Sequence, residues 1–322
     1  MILVRIVKDC DWPDLLRQTP DQKGVWDGIR FTLDDVQECD YLLMLNNRMK
    51  VETTVTCPPE HIWALMQEPY EKGFSDWVVE GHDLFARVLT HHIPTNGVKY
   101  VASHPAIPWH VNRTFDQLIS CPIPEKIKGL SWIIGDARDL PGHLLRWSFL
   151  ENIEKARLPI DLYGKKIRYL EDKWDGLAPY RYSLAIENNS GPHMWTEKLA
   201  DCFLTWTLPF YYGCMNIEDY FPEGSFLRID ITKPEASLEK IRAVMAEDSW
   251  EKHLPALEEA RRLILHKYQI FPYIASLISA QPDQHGAREK ITIPLYKRSS
   301  KAFWYHVKYK LKKKLRMMEA LK

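Results

Sequence analysis

The chain has no hydrophobic run long enough to cross a bilayer, no paired cysteines and none of the common catalytic fingerprints. Each absence excludes something. Cys10, Cys39, Cys57, Cys121, Cys202 and Cys214 are irregularly spaced, without a CxxC, so neither a zinc site nor a disulfide scaffold is expected. The opening MILVRIVKDCDW is broken by Arg5, Lys8 and Asp9, which reads as a first strand rather than a signal peptide. A reducing, cytoplasmic setting is the expectation. No GxGxxG follows a strand, and no GxxxxGK[ST], GxSxG or HExxH occurs. His91, His92 and His104 lack a companion carboxylate at ligand spacing, so loop roles are expected for them. Asp9 and Asp11, at the end of the first strand, read either as a metal pair or as a capped turn.

What is present is a globular composition: 322 residues, 45% hydrophobic and 27% charged. Strands are expected at 2–7, 41–45, 62–66 and 98–102, then at 131–134, 160–163, 182–186, 209–212 and 226–229. Helices fit 144–156, 197–207, 234–247 and 254–266. Strands alternating with helices in both halves point to two α/β units. The divisions expected are 1–122, 123–280 and a C-terminal tail, 281–322. Residues 58–108, rich in Pro, His and Trp, read as long loops at a ligand edge. Trp63 reads as core; Trp109 and His110 read either as core or as the lining of an acceptor side.

The segment Tyr180–Gly213 carries the chemistry. Tyr180 to Ile186 alternates as a strand and ends on Glu187, Asn188, Asn189 and Ser190, polar groups at an edge where α/β sheets meet ligands. Gly191 and Pro192 turn the chain, Thr196 is placed to cap a helix, and Glu197 and Lys198 fall in its first turn. A helix start offers free N–H groups and a positive dipole end, and with a lysine added it suits a diphosphate. The competing reading is an ordinary βαβ unit with a solvated loop and a surface lysine.

Formal net charge is zero, but residues 297–322 hold ten Lys or Arg and one Glu, leaving 33 basic and 42 acidic residues, net −9, in the body. In that tail Phe303, Val307, Leu311, Leu315 and Met318 recur at helical spacing among lysines. It reads as a basic amphipathic helix suited to anionic lipid. Its aromatics cluster at one end instead of interleaving, so nucleic acid is not the expected partner.

The run YRYSLAIENNSGPHMWTEK resembles the signature of the α-1,3/1,4-fucosyltransferases, glycosyltransferase family 10, roughly YKFxLxFENSxxxxYxTEK. The match takes in Tyr180, Arg181, Tyr182, Leu184, Ile186, Glu187, Asn188, Thr196, Glu197 and Lys198. TWTLPFYYG and YFPEGSFLRIDI resemble its continuation, and MQEP around Glu68 resembles the family's ESP motif. The resemblance implies an α/β fold of GT-B type, two Rossmann-like domains facing across a cleft, and inverting transfer of fucose from GDP-fucose. No bound cofactor or metal is implied beyond the donor.

By the same resemblance Asn188, Glu197 and Lys198 lie along the donor, with Lys198 on the diphosphate and Glu197 near sugar or ribose. Glu187 orients the loop, and Glu68 is the general base. Two positions depart from the pattern. Met194 stands where an aromatic is usual, and His143 where an arginine clamps the diphosphate. Arg138 or Arg146 are the candidates to replace that arginine, Arg146 being equally readable as a solvated helix residue. The resulting expectation is a glycosyltransferase acting on a glycan or lipid-linked saccharide at the cytoplasmic face of a membrane. The alternatives are the same fold using another nucleotide sugar, or an inactive nucleotide- or saccharide-binding relative.

Overall fold

The computed structural model describes residues 1–8, 14–47, 52–94, 97–281 and 286–319; Asp9 and Asp11 lie outside them. The chain divides into two compact units, one made of 1–14, 24–105 and 274–322, the other of 15–23 and 106–273.

The first unit is built on a seven-stranded sheet of β1 (Leu3–Val7), β2 (Val25–Trp26), β3 (Ile29–Thr32), β4 (Tyr41–Leu45), β6 (Ile62–Leu65), β7 (Arg87–Thr90) and β8 (Tyr100–Ala102). The strand order is β2-β3-β1-β4-β6-β7-β8, parallel except for β2 against β3. β4 is apolar at every position and wholly buried, as a strand covered on both faces must be. A further strand, β5 (Thr53–Cys57), lies outside this sheet. Leu42, Met44, Val55, Ile62, Ala64, Trp77 and Val88 share one core cluster.

The second unit holds a five-stranded, wholly parallel sheet in the order β10-β9-β11-β12-β13. Its strands are β9 (Lys128–Ile133), β10 (Asp161–Tyr163), β11 (Tyr180–Ile186), β12 (Leu208–Tyr212) and β13 (Leu227–Arg228). Its helices are α1 (Phe115–Ser120), α2 (Pro141–Lys155), α3 (Glu197–Leu204), α4 (Pro234–Glu247) and α5 (Leu254–Leu263). Two α/β units, the number expected, are both present.

The chain returns to the first unit through α6 (Ile270–Ser279), then β14 (Glu289–Ile293) and α7 (Ser300–Glu319). β14 pairs antiparallel with β5, Ile291 opposite Val55. Residues after 280 are therefore not a separate tail, and the division at 122 gives way to one at Pro105–Ala106. Tyr296 and Ser299 bond to Glu80, and Arg298 pairs with Asp76 at 3.2 Å. The His306 ring meets the Gly73 carbonyl at 2.7 Å, and Tyr309 packs on Phe74. The outer face of α7 carries Phe303, Trp304 and Leu311, 54%, 62% and 58% exposed. The side chains of Leu315 and Met318 lie outside the described residues. Among the described residues no helix is long and apolar enough to cross a membrane.

Other expectations shift for local reasons. The helix expected over 197–207 stops at Leu204, because Thr205 bonds back to the Asp201 carbonyl and Trp206 turns to φ 58°. The one expected over 254–266 ends at Leu263 and continues as a π-helical turn, Ile264–Tyr268. Residues 58–108 include β7 as well as loops.

Candidate active site

The site of the second unit forms where β11 ends. Glu187, the first residue beyond the strand, turns inward and is 1% exposed. Its carboxylate accepts from the Thr196 N–H at 2.8 Å and from the Thr196 hydroxyl at 2.8 and 3.0 Å. Its own N–H donates to the Tyr212 carbonyl at 2.9 Å. A Cβ at Gly213 would lie 2.4 Å from Glu187 Cγ, so that position has room only for glycine. Glu187 thus ties the loop to the start of α3. Thr196 caps α3, its hydroxyl oxygen receiving the Lys198 N–H.

The first turn of α3 gathers charge. Lys198 Nζ donates to Glu187 Oε2 at 3.2 Å, to Thr196 Oγ1 at 3.0 Å and to Glu197 Oε1 at 3.4 Å. Lys173 Nζ stands 3.6 Å from the same Glu197 oxygen and 3.2 Å from Asp201 Oδ2. Asp201, one turn along α3 and 1% exposed, also accepts the backbone N–H groups of His110 at 2.8 Å and Val111 at 3.4 Å. The His110 ring approaches Glu197 Oε1 at 3.9 Å.

Burial alone raises a carboxyl and lowers a lysine; here the neighbours decide. Burial pushes Glu197 up, but Lys198 and Lys173 outweigh it and hold it well below the ordinary value. Burial pushes Lys198 down, and Glu187 and Glu197 reverse that. Burial wins at Asp201, whose carboxyl is raised, and at His110, pushed down to about 3. At neutral pH the His110–Glu197 approach is therefore a contact with a neutral imidazole, and the two lysines supply the compensation.

A second wall comes from α2. Gly142, in its first turn, packs so closely on the loop that a Cβ there would fall 1.7 Å from the Asn188 carbonyl oxygen. Asn188 is half-buried, and its side-chain oxygen is enclosed without a hydrogen-bond partner among the described residues. His143 is buried and its Nδ1 accepts the Leu140 N–H at 3.3 Å. Burial first, then Arg146 and Lys198, lower its pKa, so it stands neutral. Arg146 is not a solvated helix residue: it is 3% exposed, and its Nε is enclosed with no partner among the described residues. Among the described residues its guanidinium makes no hydrogen bond or ion pair, although Glu187 and Glu197 act on it electrostatically. Desolvation of an unpaired cation is costly.

The remaining expected residues are dispersed. Arg138 is exposed and stacks on Trp147, 4.0 Å from the ring centre. Met194 is 3% exposed and packed inward, followed by Trp195 edge-on to Phe221 and Tyr268. Trp109 is core, its indole N–H bonded to the Arg113 carbonyl. Glu68 belongs to the first unit. Met66 and Gln67 are tied down by Leu89 and Asn46, and Glu68 is the first exposed residue beyond β6, at the C-terminal edge of a parallel sheet. Among the described residues no group of three or more His, Cys, Asp or Glu is placed to hold a metal. The residues not anticipated are Lys173 and Asp201. Asp201 was findable, four residues from Glu197 on one helical face; Lys173 arrives from a separate turn before β11.

Residues 123–253 match the family model for the C-terminal part of glycosyltransferase family 10 (fucosyltransferase). Over 88 residues the chain is 35% identical to a putative fucosyltransferase-like protein of Arabidopsis thaliana, covering 26% of this chain and 17% of that protein. Over 246 residues it is 25% identical to alpha-(1,3)-fucosyltransferase 4 of Rattus norvegicus, 70% of this chain and 53% of that one. The chain thus spans about half or less of the curated relatives it matches. A crystal structure of an α1,3-fucosyltransferase with GDP-fucose aligns at TM-score 0.49 and 12% identity, over 88% of this chain and 91% of that one. Residues 123–253, the stretch that holds α2, β11 and α3, are thus similar to the C-terminal part of the glycosyltransferase family 10 fucosyltransferases.

Proposed function

We propose that the protein is an inverting glycosyltransferase that moves fucose from GDP-fucose to a hydroxyl of a glycan or lipid-linked saccharide. The observation that carries this reading is the pairing of a buried, unpartnered Arg146 with Lys198 at the start of α3. Cleaving the bond from the anomeric carbon to the β-phosphate oxygen leaves a new negative charge on the diphosphate. Arg146, Lys198 and the positive dipole end of α3 stabilise it. Asn188 and Glu197 bind along the donor, the carboxylate of Glu197 accepting from sugar or ribose hydroxyls. Glu187 acts at one remove, by holding Thr196 and Lys198 in place. His143, neutral, contributes a hydrogen bond and no charge, while Arg138 and Met194 lie at the margin of the donor.

Glu68 serves as general base. It takes the proton of the acceptor hydroxyl as the oxygen bonds to the anomeric carbon from the face opposite the leaving diphosphate, which inverts the configuration. Its exposure suits a group that must meet an incoming acceptor. The outer face of α7, with Phe303, Trp304 and Leu311 among exposed lysines, rests on anionic lipid and keeps the enzyme near a membrane-borne acceptor.

A panel of nucleotide sugars, read for nucleotide release and for binding, tests the reading. Release from GDP-fucose with an acceptor present is expected. Glu68→Gln should lower kcat by about 10²- to 10⁴-fold with KM for the donor little changed. Release confined to another donor would retain the mechanism and remove fucose; Met194 and His143, the two departures from the family pattern, favour that second reading. Binding with no turnover across an acceptor panel would identify an inactive relative.

A further inference from the structure

Lys198 has three N–H donors, and Glu187, Thr196 and Glu197 engage all three. A diphosphate can be received only if one of these partners is given up. Glu187 remains satisfied by Thr196 in any event, through the backbone N–H and the hydroxyl. Glu197 is the partner with a replacement at hand: Lys173 Nζ lies 3.6 Å from Oε1, the same oxygen that Lys198 holds at 3.4 Å. Lys173 is itself fixed, 3.2 Å from the buried Asp201 carboxylate. That carboxylate is tied in turn to the backbone of His110 and Val111.

We propose that Lys173 is a positioning residue for donor binding, a stand-in counter-ion that retains Glu197 when Lys198 turns to the incoming diphosphate. This rests on the reading of Lys198 as the diphosphate ligand. Without Lys173, Lys198 would stay bound between two carboxylates, and anion affinity would fall although every group that touches the anion is intact. The logic is a shared acceptor with two interchangeable cations. It requires charge at position 173, not a particular shape.

Calorimetric titration of the full chain with GDP, and separately with inorganic pyrophosphate, tests the proposal through a double-mutant cycle. Lys173→Met should weaken both ligands by about tenfold, and Lys173→Arg should restore binding to within about twofold of the native chain. In a Glu197→Gln background, where no charge needs holding, Lys173→Met should cost less than about twofold. Equal losses from Lys173→Met in the native and Glu197→Gln backgrounds would overturn the proposal. So would a Lys173→Met variant that binds normally. A native chain that binds pyrophosphate but not GDP removes the nucleotide-sugar reading and leaves the cycle to be decided with pyrophosphate. Binding of neither ligand overturns both.

Discussion

Arg146 sets stability against binding. A guanidinium that is 3% exposed and lacks a partner opposes folding until an anion arrives. Arg146→Met should therefore raise the melting temperature of the ligand-free protein, while weakening GDP by about 10- to 100-fold, the loss of a charged hydrogen-bonding contact. Differential scanning fluorimetry with and without GDP reads both; a variant that melts earlier and binds as before would contradict this account. His110 gives a pH dependence of definite sign. Burial lowers it from 6.5 to about 3, so the folded chain keeps it neutral where the unfolded chain protonates it. Its contribution is complete above pH 6.5 and is lost as pH falls toward 3. His110→Asn should flatten the stability profile across that window, followed by urea unfolding at stepped pH.

Elements show why part of the fold was legible and part was not. The strand Tyr180–Ile186, the cap at Thr196 and the helix start at Glu197 are local features, fixed by alternation and capping chemistry within about twenty residues, and the sequence reading located them. Helix α4 is another such case, opened by Pro234 and matching its expected span throughout. β5 escaped notice because its partner, β14, lies more than two hundred residues away, and a lone TTVTC says nothing of pairing. Lys173 was hidden because it arrives from a separate turn, and burial sets Arg146, inside α2, apart from Arg138, exposed ahead of that helix. Helix α7 was read correctly as helical and amphipathic, but its inner face is already occupied by Phe74 and Gly73. Removing residues 310–322, with Leu311 and most of the lysines, should thus weaken binding to vesicles rich in phosphatidylserine and leave the melting temperature unchanged. Removing residues 296–322 should also destabilise the fold, because the bonds to Glu80, Asp76 and Gly73 are lost. Vesicle sedimentation and thermal melts of the two truncations distinguish these outcomes.

At the scale of the whole molecule neither unit is a continuous stretch of chain. Residues 15–23 belong with 106–273: Arg17 donates to the Trp109 carbonyl at 2.7 Å, and the Gln269 amide donates to the Gln18 carbonyl at 3.1 Å. A fragment cut at 123–280, the boundaries the sequence invites, omits Arg17, Trp109 and Val111. It leaves Asp201 without two of its donors. Such a fragment should be insoluble or molten, whereas the full chain gives a cooperative melt; circular dichroism of both is the check.

The contact of Gly142 with the Asn188 carbonyl has a consequence for how donor preference can change. With no space for even a methyl group, the start of α2 and the turn after β11 are welded into one part. Backbone drift in either wall is thereby forbidden to a lineage exploring new donors, and to an engineer attempting the same. Variation is channelled into side chains that project from fixed mounts. An arginine can be exchanged for a histidine at one turn of α2 while a cation is kept at the next, and the frame that presents them does not move.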